Sequence, residues 1–350
     1  MAKRATMTEI ADAARVSQTT VSMVLNNLPY ARVAAATRAR VLQAAQALGY
    51  SKGLQASANG ARTIGMLIDE VGTTPFYAPL IEGADDEASS GGCIVAAYRT
   101  RSDPAMEAAA IAALQSQPLA GILYATLAKR AVSIPEPLFS IPTVMLNCYS
   151  RTPGHLSVLS ADRPAAYAAT EMLLEAGHKR IAHLAGESSL VAGREREEGY
   201  RQAMLGRDIP IDKALIRHGA WTIYNGRELT RQLLGLADPP TALFCFNDRM
   251  AIGAYEAIRA HGLRIPEDIS VIGFDNELDL APHAEPPLTT IGLPHSEMAR
   301  EAVRVLLDID NVRASSQHPR TIKIECPLIS RASVAAPPAK SGLRATDARK

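Results

Sequence analysis

The chain is short of most signatures that would make it an enzyme or an exported protein. No Gly-x-Gly-x-x-Gly follows a strand pattern, and there is no phosphate-loop lysine, no Gly-x-Ser-x-Gly and no histidine pair at metal spacing. The usual marks of nucleotide cofactors, serine hydrolysis and zinc chemistry are thus missing, and neither cofactor nor metal is expected. His178 and His183, five residues apart, read as a surface and a core histidine, and Asp85-Asp86-Glu87 as a solvated helix face. The four cysteines, Cys93, Cys148, Cys245 and Cys326, stand singly among apolar neighbours. They lack the short paired spacings of metal or redox sites and read as reduced core residues, which fits the cytoplasm. Long hydrophobic runs are absent too: stretches such as Ala108 to Leu114 and Thr241 to Phe246 fall far short of the ~20 residues needed to cross a bilayer. Lys3 and Arg4 precede a polar helical pattern, not an apolar export signal.

What is present is 350 residues of ordinary globular composition, 47% hydrophobic and 21% charged. That length exceeds what one core usually organises, so two or three units are expected. The net charge of +1 conceals a division. Residues 1–62 hold eight Lys/Arg against Glu9 and Asp12, a balance of +6; of the chain's 37 basic and 36 acidic residues, 29 and 34 remain, a balance of −5. A basic head on an acidic body suits a polyanion-binding module joined to an unrelated domain, although a solvated basic face would give the same numbers.

The head reads as three short helices. Thr6-x-x-Glu9 has capping-box spacing, and Ile10, Ala13 and Ala14 follow as one stripe, predicting a helix from about Met7 to Ala14. Arg15-Val16 makes a tight turn, Ser17 caps a second helix carrying Val21, Val24 and Leu25, and Thr37 is placed to cap a third with Val41, Ala44, Ala45 and Leu48 inside and Gly49 at its stop. Two short helices across a tight turn match the helix-turn-helix, whose second helix enters the major groove. Its outward residues here are Gln18, Thr19, Thr20, Ser22, Met23 and Asn26, with no acid among them.

Residues 6–27, Thr-Met-Thr-Glu-Ile-Ala-Asp-Ala-Ala-Arg-Val-Ser-Gln-Thr-Thr-Val-Ser-Met-Val-Leu-Asn-Asn, together with Val41 to Tyr50, resemble the headpiece of the lactose-repressor (LacI/GalR) family of bacterial regulators. The resemblance implies that Gln18, Thr19 and Met23 read bases while Ser17, Thr20 and Asn26 approach phosphates. Two departures stand out. Arg15 sits where the family's turn usually has glycine, at a cost of about 1 kcal/mol if its φ is positive. Met23 replaces a common arginine, exchanging a bidentate guanine contact worth ~1 to 3 kcal/mol of discrimination for apolar contact alone. In the linker, Leu54 matches the leucine that relatives wedge into the minor groove; a flexible linker in which Leu54 has no such role is the other reading.

From Thr63 the pattern alternates. Ile64–Ile68, Cys93–Tyr98, Ala120–Ala125, Thr143–Leu146, Arg180–Ala185, Ala242–Phe246 and Ser270–Phe274 read as strands, and Pro79–Ser89, Ala105–Gln115, Ala165–Ala176, Arg194–Leu205, Gly226–Leu234 and Met250–His261 as helices. That order implies parallel sheets covered by helices, enough for two doubly wound sheets with a cleft between them. Gly177-His178-Lys179-Arg180-Ile181-Ala182, Arg196-x-x-Gly199-Tyr200, Pro240 to Asp248, Ile265 to Asp275 and Pro287 to Ile291 carry the family resemblance through the body. It implies an all-α helix-turn-helix headpiece at 1–50, a hinge at 51–62, and an α/β periplasmic-binding-protein-like core at 63–335. One core subdomain spans about 63–160 and 291–325, the other about 162–290, and residues 336–350 form a disordered tail.

Asn247 and Asp275 lie just beyond apolar strands, where open α/β sheets bind ligands, and Arg196 lies on a helix after another strand. From the residues alone, Trp221, the only tryptophan, could equally be a core aromatic, and Arg196 part of a solvated face. The resemblance instead implies a small-molecule effector held by Phe76, Tyr77, Asn147, Arg196, Trp221, Asn247 and Asp275. Asn147 stands where relatives commonly have aspartate and Leu293 where sugar-responsive ones can have glutamine, which weakens the ring of acceptors. A sugar or sugar derivative leads, followed by nucleoside-like and other polar metabolites. After Ala335 only Leu343 could serve a leucine heptad, so a homodimer on a palindromic operator is expected, in the usual repressor mode of the family. A binding protein for uptake is the rival with the same body.

Overall fold

The computed structural model describes residues 7–25, 33–47, 62–70, 76–151, 154–314 and 321–338. Two compact units form, the first holding residues up to Arg62 with Ser89–Ile94 and the second Thr63–Ala88 and the chain from Val95.

The first unit contains α1 (Met7–Ala14), α2 (Gln18–Leu25) and α3 (Ala35–Ala47). Ile10, Ala11 and Ala14 of α1 bury against Val21, Val24, Val41 and Ala45. Ala13, assigned to the buried stripe from its spacing, faces solvent instead, and Ala11 takes its place. Helix α1 ends in a Schellman turn: the amide of Val16 donates to the carbonyl of Ala11, and that of Arg15 to Asp12. Closing this turn needs a left-handed residue, and Arg15 supplies it at φ +51°. The third helix starts earlier than Thr37 would dictate. The carbonyl of Ala34 accepts from the amide of Arg38, so Thr37 lies inside the first turn and does not cap it. Thr6 and Gly49 lie outside the described residues, as do the hinge through Ala61 and the tail from 339.

The body is built on two six-stranded sheets among the described residues. The first contains β1 (Arg62–Ile68), β2 (Cys93–Arg99), β3 (Leu119–Val132), β4 (Thr143–Ser150), β5 (Leu156–Ser160) and β11 (Thr321–Ile324), in the order β2-β1-β3-β4-β5-β11. The second contains β6 (Ile181–Ala185), β7 (Ile216–His218), β8 (Ala242–Cys245), β9 (Ser270–Asp275), β10 (Thr289–Gly292) and β12 (Leu328–Ile329), in the order β7-β6-β8-β9-β10-β12. Both orders begin 2-1-3-4-5, a doubly wound pattern with its switch point between the first and third strands. Strand β12 pairs antiparallel to β10, while β6, β7, β8, β9 and β10 run parallel.

The period-2 alternation of the strands explains how the second sheet is covered on both faces. Ile181, Ala185, Phe244, Ile272 and Phe274 point to a layer with α6 (Asp162–Glu175) and α7 (Val191–Gly206). Ala182, Leu184, Leu243, Cys245 and Val271 point the other way, to α8 (Ile223–Leu234) and α9 (Asp248–Ala260). Helices α8 and α9 cross at Gly226 and Gly253, where a Cβ would fall on the backbone of Met250 and of Ile223.

The chain passes between the sheets after Ser160, after Gly292 and between Ile324 and Leu328. Helix α10 (His295–Leu307) follows a strand of the second sheet but packs on β3, β4 and β5 of the first. Beyond β12, Ser333 Oγ donates to the carbonyl of Val271 and accepts from the amide of Thr289, lacing the C-terminal segment along β9 and β10. His178 completes that fastening. Its ring bonds Thr241 Oγ1, Ser270 Oγ and the carbonyl of Ala335, and burial lowers its pKa. It is thus a buried structural histidine and not a surface one. His183 lies in the core as expected, stacked on Tyr200 and Phe244, with burial pushing its pKa down to about 4.

Candidate functional site

Two separate places carry chemistry. On the head, Ser17 closes the N-terminus of α2: its Oγ accepts from the amide of Thr20 at 3.1 Å and shares a 2.9 Å bond with Thr20 Oγ1. Gln18 and Thr19 stand exposed on the first turn, while Thr20 and Met23 are half-buried. No acidic side chain occupies that turn, so its free backbone amides and positive dipole end face solvent without a competing anion. Arg15 is exposed beside it. Asn26 and Leu54 lie outside the described residues.

In the body, the carboxyl ends of both sheets converge on a cavity of about 60 Å³. Its walls include Phe76, Lys129, Asn147, Asp162, Arg196, Trp221, Asp275 and His295. A wider cleft of about 840 Å³, lined by Trp221, Thr222, Tyr224, Asn247, Arg249 and Glu277 among others, shares Phe76 and Trp221 with it. Five of the seven expected effector residues, Phe76, Asn147, Arg196, Trp221 and Asp275, therefore line the inner cavity, and Asn247 lines the outer cleft. Tyr77 lines neither. It is buried, and its hydroxyl donates to Asp69 at 2.6 Å, while Asp69 also accepts from the amide of Leu127 and pairs with Arg130. Phe76 and Tyr77 are adjacent, and only one of them can face the opening.

Arg196 is the centre of the inner wall. The solvated-face reading fails because α7 turns this residue inward, leaving it 4% exposed. The guanidinium lies 3.5 Å from the centroid of the Phe274 ring and 4.5 Å from that of Phe246. It donates from Nε to Asp162 at 2.8 Å and from Nη1 to the carbonyl of Phe246 at 2.5 Å, and Nη1 lies 3.5 Å from Asp275. Burial alone would raise the pKa of Asp162, but the charges of Arg196 and Lys129 and the bonds from Lys129 and Ser160 outweigh it and hold the carboxyl at about 2. Asp275 goes the other way: burial lifts it well above the ordinary carboxylate range, with Arg196 opposing only part of that. The cavity thus holds two carboxyl groups whose surroundings push them in opposite directions, Asp162 down and Asp275 up. His295, stacked on Phe76 at 5.2 Å, is pushed down to about 4 by burial and is a neutral imidazole near pH 7.

Asn147 holds a left-handed backbone at φ +56° inside β4, where the β3–β4 pairing shifts register. Both of its amide hydrogens are spent on the carbonyls of Thr126 and Leu127, so the orientation of its side chain is fixed by β3. An aspartate would set a carboxylate against those two carbonyls, a physical reason for the amide. Asn247 caps α9 by accepting from the amide of Met250, and donates to the carbonyl of Trp221. It therefore positions the segment carrying Trp221, which is 40% exposed and not a core aromatic. Behind it, Asp248 accepts from Thr290 Oγ1 at 2.6 Å and from the amide of Glu277, and burial raises its pKa to about 7.

Lys129, Asp162 and His295 escaped the sequence reading. Lys129 lies within the register shift between Ala125 and Arg130 that prolongs β3 past its apolar run. Asp162 follows β5, whose apolar residues are interrupted by Ser157 and end at Ser160, and His295 opens a helix that begins after a sheet crossing. The one available signal was charge in otherwise apolar surroundings.

Residues 6–52 match the model for bacterial regulatory proteins of the lacI family, and residues 170–334 match a periplasmic binding protein-like domain. The HTH-type transcriptional repressor CytR of Escherichia coli (strain K12) is 36% identical over 342 residues, covering 95% of this chain and 97% of that protein. The HTH-type transcriptional repressor PurR of Aliivibrio fischeri (strain ATCC 700601 / ES114) is 31% identical, covering 94% and 98%. Among solved structures, the lac repressor dimer bound to operator and the anti-inducer ONPF superimposes with a TM-score of 0.67 at 27% identity, covering 95% of this chain and 100% of that one. The transcriptional regulator CelR in complex with cellobiose gives 0.63 at 31% identity, covering 94% and 100%.

Proposed function

This chain belongs to the lacI family of bacterial regulatory proteins, and from that premise we propose that it is a cytoplasmic transcriptional repressor, binding a palindromic operator as a homodimer under control of a small polar effector. The observation that carries this reading is the coexistence in one chain of an exposed, acid-free helix-turn-helix and a cavity walled by buried charges at the carboxyl ends of two sheets. An uptake binding protein would have no use for the first.

On the head, Gln18, Thr19 and Met23 read bases, while Ser17, Thr20 and Asn26 approach phosphates and Leu54 enters the minor groove. In the body, Phe76 and Trp221 wall the effector, and Arg196, Asp275 and Asn147 meet its polar groups. Asn247 acts by holding Trp221, and Tyr77 has no contact with the effector. A sugar or sugar derivative is favoured, in keeping with the cellobiose bound by CelR, ahead of a nucleoside. The inner cavity of about 60 Å³ is far below the ~300 Å³ at which small-molecule pockets begin. The outer cleft of about 840 Å³ shares Phe76 and Trp221 with it and has the room for the effector, which reaches the inner wall past those two aromatics; unequal contacts with two arrangements of the halves are what a population shift then requires. The test is binding to DNA upstream of the chain's own gene, with and without residues 1–62. The full chain binds and the truncated chain does not; retained binding by the truncated chain overturns the reading.

A further inference from the structure

Glu195, the residue before Arg196, turns away from the cavity and lies between two lysines of the first sheet. Lys129 Nζ, at the prolonged end of β3, sits 2.6 Å from its Oε2, and Lys323 Nζ on β11 sits 3.5 Å from its Oε1. Lys129 is 3% exposed and spends its remaining donors on Asp162 at 2.5 Å and on the carbonyl of Ser160 at 2.8 Å. Helix α7 packs in the layer of the second sheet, so these bonds cross from one half of the body to the other. A buried ammonium with all three hydrogens placed is costly to unpair. Surface pairs of similar length are screened and weak; the inner member of this pair is neither.

We propose that Lys129, Glu195 and Lys323 form a clamp that holds the two halves of the body closed before any effector arrives. The clamp rests on the reading of the cavity as the effector site only in the consequence it carries: an effector must open a latched cleft, and α7 presents the latch and the cavity arginine on consecutive residues. Because each lysine is fixed by its own strand, closure does not depend on a bound molecule to bridge the halves. Lys129 has the larger share, being buried and short-bonded, whereas Lys323 is 44% exposed.

The experiment measures closure directly, with neither DNA nor effector present, so its result is independent of whether the chain represses or what it senses. Spin labels are placed at Ser116→Cys and Gln232→Cys, both exposed and in opposite halves, in the full chain whose described cysteines are buried. Electron–electron distances are then compared for the parent, Glu195→Gln, Lys129→Arg and Lys323→Met. With the labelled chain diluted in excess unlabelled chain, so that a dimer carries one labelled protomer, the clamp predicts one narrow distance population in the parent, preserved in Lys129→Arg. Glu195→Gln gives a broadened population displaced from the parent's, and Lys323→Met a smaller displacement in the same direction. Circular dichroism establishes that each variant is folded. A folded Glu195→Gln whose distribution superimposes on the parent's overturns the clamp, and so does a parent that is already broad.

Discussion

The head and the body place their working residues in opposite physical settings. On the head, Ser17, Gln18 and Thr19 are exposed at the start of an eight-residue helix, Thr20 and Met23 are half-buried, and the buried residues behind them are apolar. In the body, the charged side chains that face the cavity are buried, and they are held by ion pairs: Arg196 by Asp162, Asp162 by Lys129, Lys129 by Glu195. The difference follows from the partner each must meet. A polyanion brings its own charge and needs only a surface free of acids, whereas a small neutral molecule must find its hydrogen-bonding groups already oriented and dry. Changing one residue of the body site should therefore cost folding energy, while changing one of the head should mostly alter recognition.

The largest effect that could break this comparison comes from Arg196→Met. Removing the guanidinium leaves the Asp162 carboxylate with Lys129 as its remaining buried cation, and urea unfolding should show a loss of about 3 to 5 kcal/mol. A loss under 1 kcal/mol would mean that the network does not support the fold. The smallest comes from Arg15→Gly. Relieving a left-handed arginine should raise the protection of α1 and α2 amides in hydrogen exchange by about 1 kcal/mol. If Arg15 also touches phosphate, the same variant lowers the salt slope of operator binding by about one. Unchanged protection would show that the turn tolerates arginine without strain.

How much of this could be read from sequence divides along the same line. The head was legible almost to the residue because its logic is local: Ser17 caps its own helix three residues on, and Val21 and Val24 pack within one short unit. The errors were shifts of two and three residues, Ala13 for Ala11 and Thr37 for Ala34 at the start of α3. In the body, the parallel strands were visible as apolar runs, but β5, β7, β10, β11 and β12 were missed because polar residues interrupt them or they are only two residues long, whereas the four residues of β8 are apolar throughout. The cavity was half legible. Residues immediately after a visible strand, Asn247 and Asp275, fell near the opening as expected. Lys129 and His295 depend on a register shift and a sheet crossing, which no spacing announces. Tyr77 failed because neighbouring aromatics at a helix start face different sides.

If the chain is an effector-controlled repressor, occupancy of the body cavity sets operator binding by the head. The direct measurement is the operator affinity of the full chain, without and with a saturating ligand found by thermal-shift screening of sugars and nucleosides, for the parent and for Trp221→Ala. The ligand is expected to change the parent's operator affinity by roughly 5- to 150-fold, and Trp221→Ala to need more ligand for the same change. An operator affinity that saturating ligand leaves unmoved in the parent would contradict this link.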